Sequence, residues 1–436
     1  MMKSTRTRKL LSAALAAVLL AASLTACSEG NDPAETGTGQ GTGTTAETEA
    51  VTAVPRYDYM TDNVSANVTI DRASYTNLAL TVPNSLKIDE DDVKDYVENI
   101  RFQHRTAVNG TAMVKDQPLA MGDDAYIYYK GFLNGVAFEG GSNWEDKSPY
   151  TLGLGSGSFI PGFEEALVGI VPNTTSKDAP AEITVTFPDD YNEELGGKEV
   201  IFRIAVEYAV QYTLPEYNRE FVEKTLKYQP KLDFYASDAA LLDEFEEYVY
   251  EYLVAQTASK LTSAQSSALW EHLLDVAECR NLPADEVNYY FGAYESEVKY
   301  YYEYYAAYGG ENFKKTYPDL GSFAVAYFGL PAGSDWKTEM TKEAEEMVCR
   351  DMITHAIAEA EGLETITGEE YEAQVKYWMD YYSSYYGTVS RDNVIKNVGD
   401  AFLRESALSD KVNRWLLGQV DFTYADGTPV VSTADN

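Results

Sequence analysis

The sequence is poor in the residues that most reaction chemistries need. It has three cysteines and three histidines in 436 residues, and 34 basic side chains stand against 70 acidic ones. His104, His272 and His355 are scattered without ligand spacing, and neither Cys279 nor Cys349 sits in a CxxC pair or beside a histidine, so no metal or cofactor is expected. A net charge of −36 argues against nucleic acid as a partner, because phosphate binding needs a Lys/Arg surface. No apolar run is long enough to span a bilayer, and no fixed-period repeat marks a solenoid. The acidic run Asp89-Glu90-Asp91-Asp92 lacks the ligand alternation and glycine of an EF-hand loop; it suits a helix start, with Asp89 as N-cap. What is abundant is tyrosine, 35 in all, an apolar ring with a polar tip suited to half-wet helix faces.

The first 26 residues have the pattern of a signal peptide. Lys3, Arg6, Arg8 and Lys9 precede an apolar stretch over residues 10–24, which at about 1.5 Å per residue reaches only roughly 22 Å. Leu24-Thr25-Ala26-Cys27 resembles a lipobox, which makes Cys27 the expected lipidation site and mature N-terminus. The expectation is an extracytoplasmic bacterial lipoprotein held to the cell membrane through acylated Cys27. Residues 27–56 are a Gly/Thr/Ala/Glu tether, with an average reach of roughly 30 Å. Cys279 and Cys349 could pair outside the cytoplasm, but their helix-like settings favour two buried free thiols.

Folded structure is expected from residue 57. Residues 67–82 alternate like a strand, and Val93, Tyr96, Val97 and Ile100 make the apolar stripe of a following helix. From 121 to 212, glycines, prolines and short alternating runs predict a small antiparallel β domain, with Asn134-Gly135 as a hairpin turn. After Pro215 the pattern is helical almost to the end: Leu242, Phe245, Val249 and Leu253 share one face, and Pro283 marks a new start. The last helix should end near Leu417, followed by a short stretch over 420–424.

Within the β segment stand Tyr128-Tyr129-Lys130-Gly131, Gly135-Val136-Ala137-Phe138-Glu139-Gly140-Gly141, Gly155-Ser156-Gly157-Ser158-Phe159-Ile160-Pro161-Gly162-Phe163-Glu164-Glu165 and Thr186-Phe187-Pro188-Asp189-Asp190-Tyr191. In this order, over about ninety residues, they resemble the FKBP-type peptidyl-prolyl isomerases, and their wording resembles the trigger factor branch. The resemblance implies an α+β chain: an FKBP-like antiparallel half-barrel domain plus a large all-helical, trigger-factor-like C-terminal domain. The expected organisation is a lipoprotein signal peptide (1–26), the tether (27–56), a strand-helix lead-in (57–118), the isomerase domain (119–213), a helical chaperone-like arm domain (214–424) and a tail (425–436).

By motif position, the resemblance implies a pocket walled by Tyr129 and Phe138, with Tyr150, Phe159 and Ile160 along one side. Phe163 would be its floor, and Tyr191 and Phe202 would complete it. Ile160 would offer its backbone N–H to a substrate carbonyl, and Glu139 would take the place of an acidic residue beside the amide. Phe163 stands where drug-binding FKBPs carry tryptophan, and the turn over 171–181 is longer and less glycine-rich than usual. Weaker likenesses flank the domain: Leu214-Pro215-Glu216 followed by Phe221, Asn281-Leu282-Pro283-Ala284, and the ending Lys411-Val412-Asn413-Arg414-Trp415-Leu416-Leu417. No Gly-Phe-Arg-x-Gly-Lys-like loop is present, so ribosome docking is not expected.

The implied function is isomerisation of X–Pro bonds in unfolded or proline-containing exported polypeptides, coupled to holding them. One alternative is a catalytically inactive FKBP-fold holdase. Another is a solute-binding lipoprotein, which would need two α/β lobes around a cleft. The tyrosine clusters at 289–290, 300–308 and 381–386 could serve unfolded segments as an adaptable surface or could simply pack between helices.

Overall fold

The computed structural model describes residues 64–188, 191–192, 194–231 and 237–430; the leader, Cys27 and the tether lie outside them. The chain divides into two compact units, one of residues 64–81 with 264–423 and 427–430, the other of 82–263 with 424–426.

The alternating stretch expected over 67–82 is two strands, β1 (Val68–Thr69) and β2 (Leu78–Val82). A single helical turn at Arg72–Ser74 interrupts it. The Thr76 hydroxyl donates back to the Arg72 carbonyl at 3.0 Å, and Asn77 takes a left-handed φ of 56°. That local closure satisfies backbone groups which a continuous strand would have left to a neighbour.

Helix α1 (Glu90–Gln103) starts on a capping box. The Asp89 carboxylate accepts from the Asp91 and Asp92 N–H groups, and Asp92 accepts from the Asp89 N–H. Two short strands follow, β3 (Thr106–Ala107) and β4 (Met113–Val114). Then come β5 (Asp124–Leu133), β6 (Val136–Ser142), β7 (Tyr150–Gly153), the short helix α2 (Phe163–Leu167), β8 (Ala181–Thr186), β9 (Glu199–Val210) and β10 (Tyr212–Thr213). The main sheet is antiparallel in the order β4-β9-β5-β6, with β7 on β5 and β8 on β9. Asn134 and Gly135 both have positive φ, 51° and 81°, and close a two-residue hairpin between paired Leu133 and Val136. The sheet curls around Leu119, Ile127, Leu152, Leu154, Leu167 and Ile204, and α2 seals it with Phe163. The long turn over 171–181 lies along β9, where the Val206 N–H donates to the Thr175 hydroxyl at 2.9 Å and satisfies a group freed by a bulge. This is an FKBP-like fold.

Helix α3 (Asp238–Val276) is 39 residues long, and the division between units falls after Ser263. Leu241, Phe245 and Val249 of its first part pack with Val93 and Val97 of α1. In the other unit, β11 (Glu278–Cys279) pairs with β1. Pro283 caps α4 (Ala284–Tyr308), which is followed by α5 (Gly310–Thr316), α6 (Leu320–Tyr327) and α7 (Trp336–Glu361). Met340, Ala344, Val348 and Met352 of α7 recur every four residues and are fully buried against Tyr290, Tyr294 and Val298 of α4. Then come α8 (Gly368–Tyr386), α9 (Arg391–Val398), α10 (Asp400–Leu417) and β12 (Val420–Tyr424), the last paired with β2. No helix among the described residues is long and apolar enough to cross a membrane.

Two expectations change. Cys279 and Cys349 are not free thiols: they form a disulfide spanning 70 positions, because β11 brings the first beside α7, which carries the second. The tyrosine clusters split by position. Tyr290 and Tyr294 are core, whereas Tyr300, Tyr304 and Tyr308 repeat at four-residue spacing on an exposed face of α4.

Candidate active site

Strand β5 sets the back wall. Ala125 and Ile127 point into the barrel, and Tyr129 continues that face. The register slips between Lys130 and Phe132 in the β5–β6 pairing, and Asn143, buried just past β6, repairs the ladder there. Its Oδ1 accepts from the Tyr129 N–H at 2.7 Å, its Nδ2 donates to the Ile127 carbonyl at 3.0 Å, and its own N–H donates to the Tyr129 carbonyl at 3.1 Å. A side-chain amide thus does the work of a peptide group, and Tyr129 is fixed at the point where the strand would otherwise fray.

Glycine makes room for the second ring. A Cβ on Gly131 would lie 2.4 Å from the Phe138 ring and 2.7 Å from the Phe202 ring. The family-like Gly-Gly pair after Glu139 has the same purpose at its second member, Gly141.

The third wall is the loop after β7. Gly155 and Gly157 take φ of 100° and 68°, turning successive N–H groups inward. The Glu164 carboxylate, 4% exposed, sits at their focus. It accepts from the N–H groups of Gly155 (2.7 Å), Gly157 (3.2 Å), Ser158 (2.9 Å) and Phe159 (3.3 Å), and from the Ser156 hydroxyl (3.2 Å). On the loop's other side the Asn99 amide of α1 donates to the Ser156 carbonyl at 2.9 Å. Phe159 and Ile160 follow directly. No backbone carbonyl among the described residues accepts from the Ile160 N–H.

The rings form one continuous wall. Tyr150 meets Phe159 at 5.5 Å, Phe159 meets Phe163 at 4.5 Å, and Phe163 meets Phe202 at 5.1 Å. Phe202 meets Phe138 at 5.8 Å, Phe138 meets Phe187 at 6.0 Å, and Phe187 meets Tyr191 at 4.5 Å. Tyr129 touches Phe159, Phe163 and Phe202 from behind, edge-on. Burial pushes the Tyr129 hydroxyl pKa up, with Tyr150 and Asp146 adding to it, so the hydroxyl keeps its proton. Phe163 is fully buried as the floor and Phe202 nearly so, while Tyr150 (43% exposed) and Tyr191 (52% exposed) form the rim. Ile160 is partly buried against the same core. Glu139 stands exposed on β6 and is outside the ring network.

Three residues in this arrangement escaped the sequence reading as site members: Phe187, Glu164 and Asn143. The first two lie inside the recognised motifs, where aromatic and acidic residues were visible without their roles. Nothing in the sequence around Asn143 signalled that a side chain would replace a strand hydrogen bond. The geometry offers an apolar wall of rings, partly exposed at Tyr150 and Tyr191, with the open Ile160 backbone donor next to Phe159. Such a site can bind a planar amide against its rings and hold one carbonyl on a backbone donor.

Residues 115–211 match the FKBP-type peptidyl-prolyl cis-trans isomerase family. Over 324 residues the chain is 29% identical to the trigger factor of Shouchella clausii (strain KSM-K16), which covers 73% of this chain and 66% of that protein. Over 289 residues it is 32% identical to the trigger factor of Lysinibacillus sphaericus (strain C3-41), covering 65% of this chain and 59% of that one. The matched portion is thus less than two thirds of the length of these relatives. A solved structure of the trigger factor chaperone aligns over 81% of this chain and 72% of its own, with 16% identity and a TM-score of 0.34.

Proposed function

We propose that this chain is a trigger-factor-related peptidyl-prolyl cis-trans isomerase and folding chaperone that acts on exported polypeptides from a lipid anchor at Cys27. The observation that carries the catalytic part is the unbroken ring wall from Tyr150 to Tyr191, with the unaccepted Ile160 N–H beside it.

The uncatalysed rotation of an X–Pro amide must overcome a barrier of about 18–20 kcal/mol because the C–N bond loses resonance. A proline ring packed against Tyr129, Phe138 and Phe159, the partly exposed rings around buried Phe163, leaves water behind. That environment disfavours the charge-separated planar amide more than the twisted one, whose carbonyl and nitrogen are no longer conjugated. The Ile160 N–H holds the carbonyl preceding the bond, so that rotation occurs on one side of a fixed point. No proton needs to move, which is consistent with a recess lined by rings.

Support for the chaperone part is the relation to trigger factors and the exposed tyrosine face of α4, where Tyr300, Tyr304 and Tyr308 offer contact area with little side-chain entropy to lose. Support for the extracytoplasmic address is the sequence up to Cys27, together with the Cys279–Cys349 disulfide, a bond favoured in oxidising compartments.

The test is prolyl isomerase activity of the purified chain on an Ala-Phe-Pro-type peptide and on proline-limited refolding of a small protein. Acceleration that is lost in a Tyr191→Ala/Phe202→Ala double variant supports the enzyme. A folded chain that accelerates neither reaction but still suppresses aggregation leaves the holdase reading in its place. Globomycin-sensitive processing, or its absence, tests the lipid anchor separately.

A further inference from the structure

We propose that Glu164 is a positioning residue for the isomerase site: its carboxylate latches the loop over residues 155–159 and thereby presets the Ile160 N–H for the substrate carbonyl. The inference rests on the isomerase reading and extends it to a residue that touches no substrate.

Glu164 is one of three buried polar side chains of this domain, with Asp123 and Asn143, beside an apolar core. No lysine or arginine pairs with it among the described residues; its partners are four backbone N–H groups and one hydroxyl of a single loop. Charge-assisted bonds of this kind are roughly twice as strong as neutral ones. Removing the carboxylate would take away the one acceptor that these donors share. Among the described residues the loop's other hydrogen bond to a side chain from outside is that of Asn99, which holds the Ser156 carbonyl; the far end is held by the Phe159 ring packed on Phe163 and by the Phe163 N–H, which donates to the Ile160 carbonyl at 3.1 Å. The bond from Glu164 to the Phe159 N–H is the last side-chain hydrogen bond on the backbone before Ile160, whose own N–H remains open. Phe163, adjacent in sequence, is held from outside the loop by Phe202 and Tyr129 at 5.1 and 6.3 Å, so its place does not depend on the latch alone.

This arrangement separates two kinetic quantities. The rings perform the desolvation that lowers the barrier, whereas the latch fixes the lip that grips the carbonyl. Glu164→Gln keeps the shape but presents an NH2 group to donors. In the full chain it should raise KM for the Xaa-Pro peptide, lowering kcat/KM by about tenfold, with kcat largely retained. Glu164→Asp, one methylene shorter but still a charged acceptor, keeps part of the latch and should give an intermediate loss. A merely structural role gives a different signature, because partial unfolding lowers the active fraction and hence kcat while KM stays unchanged. Thermal unfolding of each variant, and a shift titration of its backbone amides with the same peptide, keep the test readable if stability falls. Activity of Glu164→Gln equal to that of an active wild type, or a loss confined to kcat, overturns the proposal. Inactivity of the wild type itself would instead remove the isomerase reading on which it rests.

Discussion

The α-carbon of Gly141 faces the Phe138 ring so closely that an added Cβ would lie 2.2 Å from Cε2. A Cβ added to Gly131, on the neighbouring strand, would lie 2.4 Å from the Cζ of the same ring. Phe202 and Phe187 pack against the ring as well, so it can yield only by leaving them toward solvent. Gly141→Ala should therefore cost about 1–3 kcal/mol by overpacking and displace Phe138, with isomerase activity falling further than stability. Gly135→Ala meets nothing within 4 Å but must hold a φ of 81°; it should destabilise the hairpin through backbone strain and leave the kinetics of the folded fraction intact. Equal kinetic losses in the two variants would show that Phe138 placement is not the cause.

Tyr191 and Phe202 should behave differently although both line the pocket. Phe202 is buried against three other aromatic rings, so Phe202→Ala opens a cavity and should cost about 3–5 kcal/mol of stability. Tyr191 is half exposed and its described ring contact is Phe187. Tyr191→Ala should thus leave the melting temperature almost unchanged while reducing kcat/KM about tenfold. Retained activity in Tyr191→Ala would place the rim elsewhere.

How much of this was legible from the sequence depends on whether a role is local or arises only on folding. The hairpin at Asn134-Gly135 and the cap at Asp89 were readable because turn and cap chemistry are carried by the residues themselves. The ring positions were readable because several motifs fell in register over one short domain. The break at Arg72–Ser74 was not readable, since alternation on its two sides masked a turn closed by Thr76. The disulfide was hidden for another reason. Its partners are 70 residues apart, and only the β1–β11 pairing shows that Cys279 leaves the end of α3 to lie beside α7. Asn143 and Glu164 share this difficulty: each is defined by the backbone groups it completes, and these do not exist before the chain folds.

The disulfide yields its own prediction. A cross-link closing 70 residues restricts the unfolded chain and contributes about 4 kcal/mol in the loop-entropy description. Reduction, or Cys279→Ser with Cys349→Ser, should lower the melting temperature of the helical unit, followed by far-UV circular dichroism. The pocket residues lie in the other unit, so turnover of a short Xaa-Pro peptide should persist. A melting curve unaffected by reductant, on protein shown by mass spectrometry to contain the linked peptides, would mean that the cross-link is energetically idle.

Glu297 gives a pH dependence with a definite sign. On α4 it is 4% exposed; Oε1 accepts from the Tyr327 hydroxyl at 2.5 Å, and Oε2 has no hydrogen-bond partner among the described residues. Burial raises its pKa, and the Tyr327 hydrogen bond only partly opposes this. In the unfolded chain the carboxyl titrates near the usual value of about 4.3. Below that pH both states hold the proton and the folded state has its full advantage. As pH rises, the unfolded state loses the proton first, so stability falls until the folded carboxyl has also titrated and then levels off. Glu297→Gln removes this limb, since an amide has no proton to lose and can still accept from Tyr327. Near pH 4 the variant and wild type should melt together, and by pH 7 the variant should melt higher. Taking the difference between the two proteins cancels the titration of every group that they share. Melting curves that run parallel from pH 4 to 8 would mean that the carboxyl finds water or a cation in solution, and that the helix pair α4–α6 is more open there than its packing indicates.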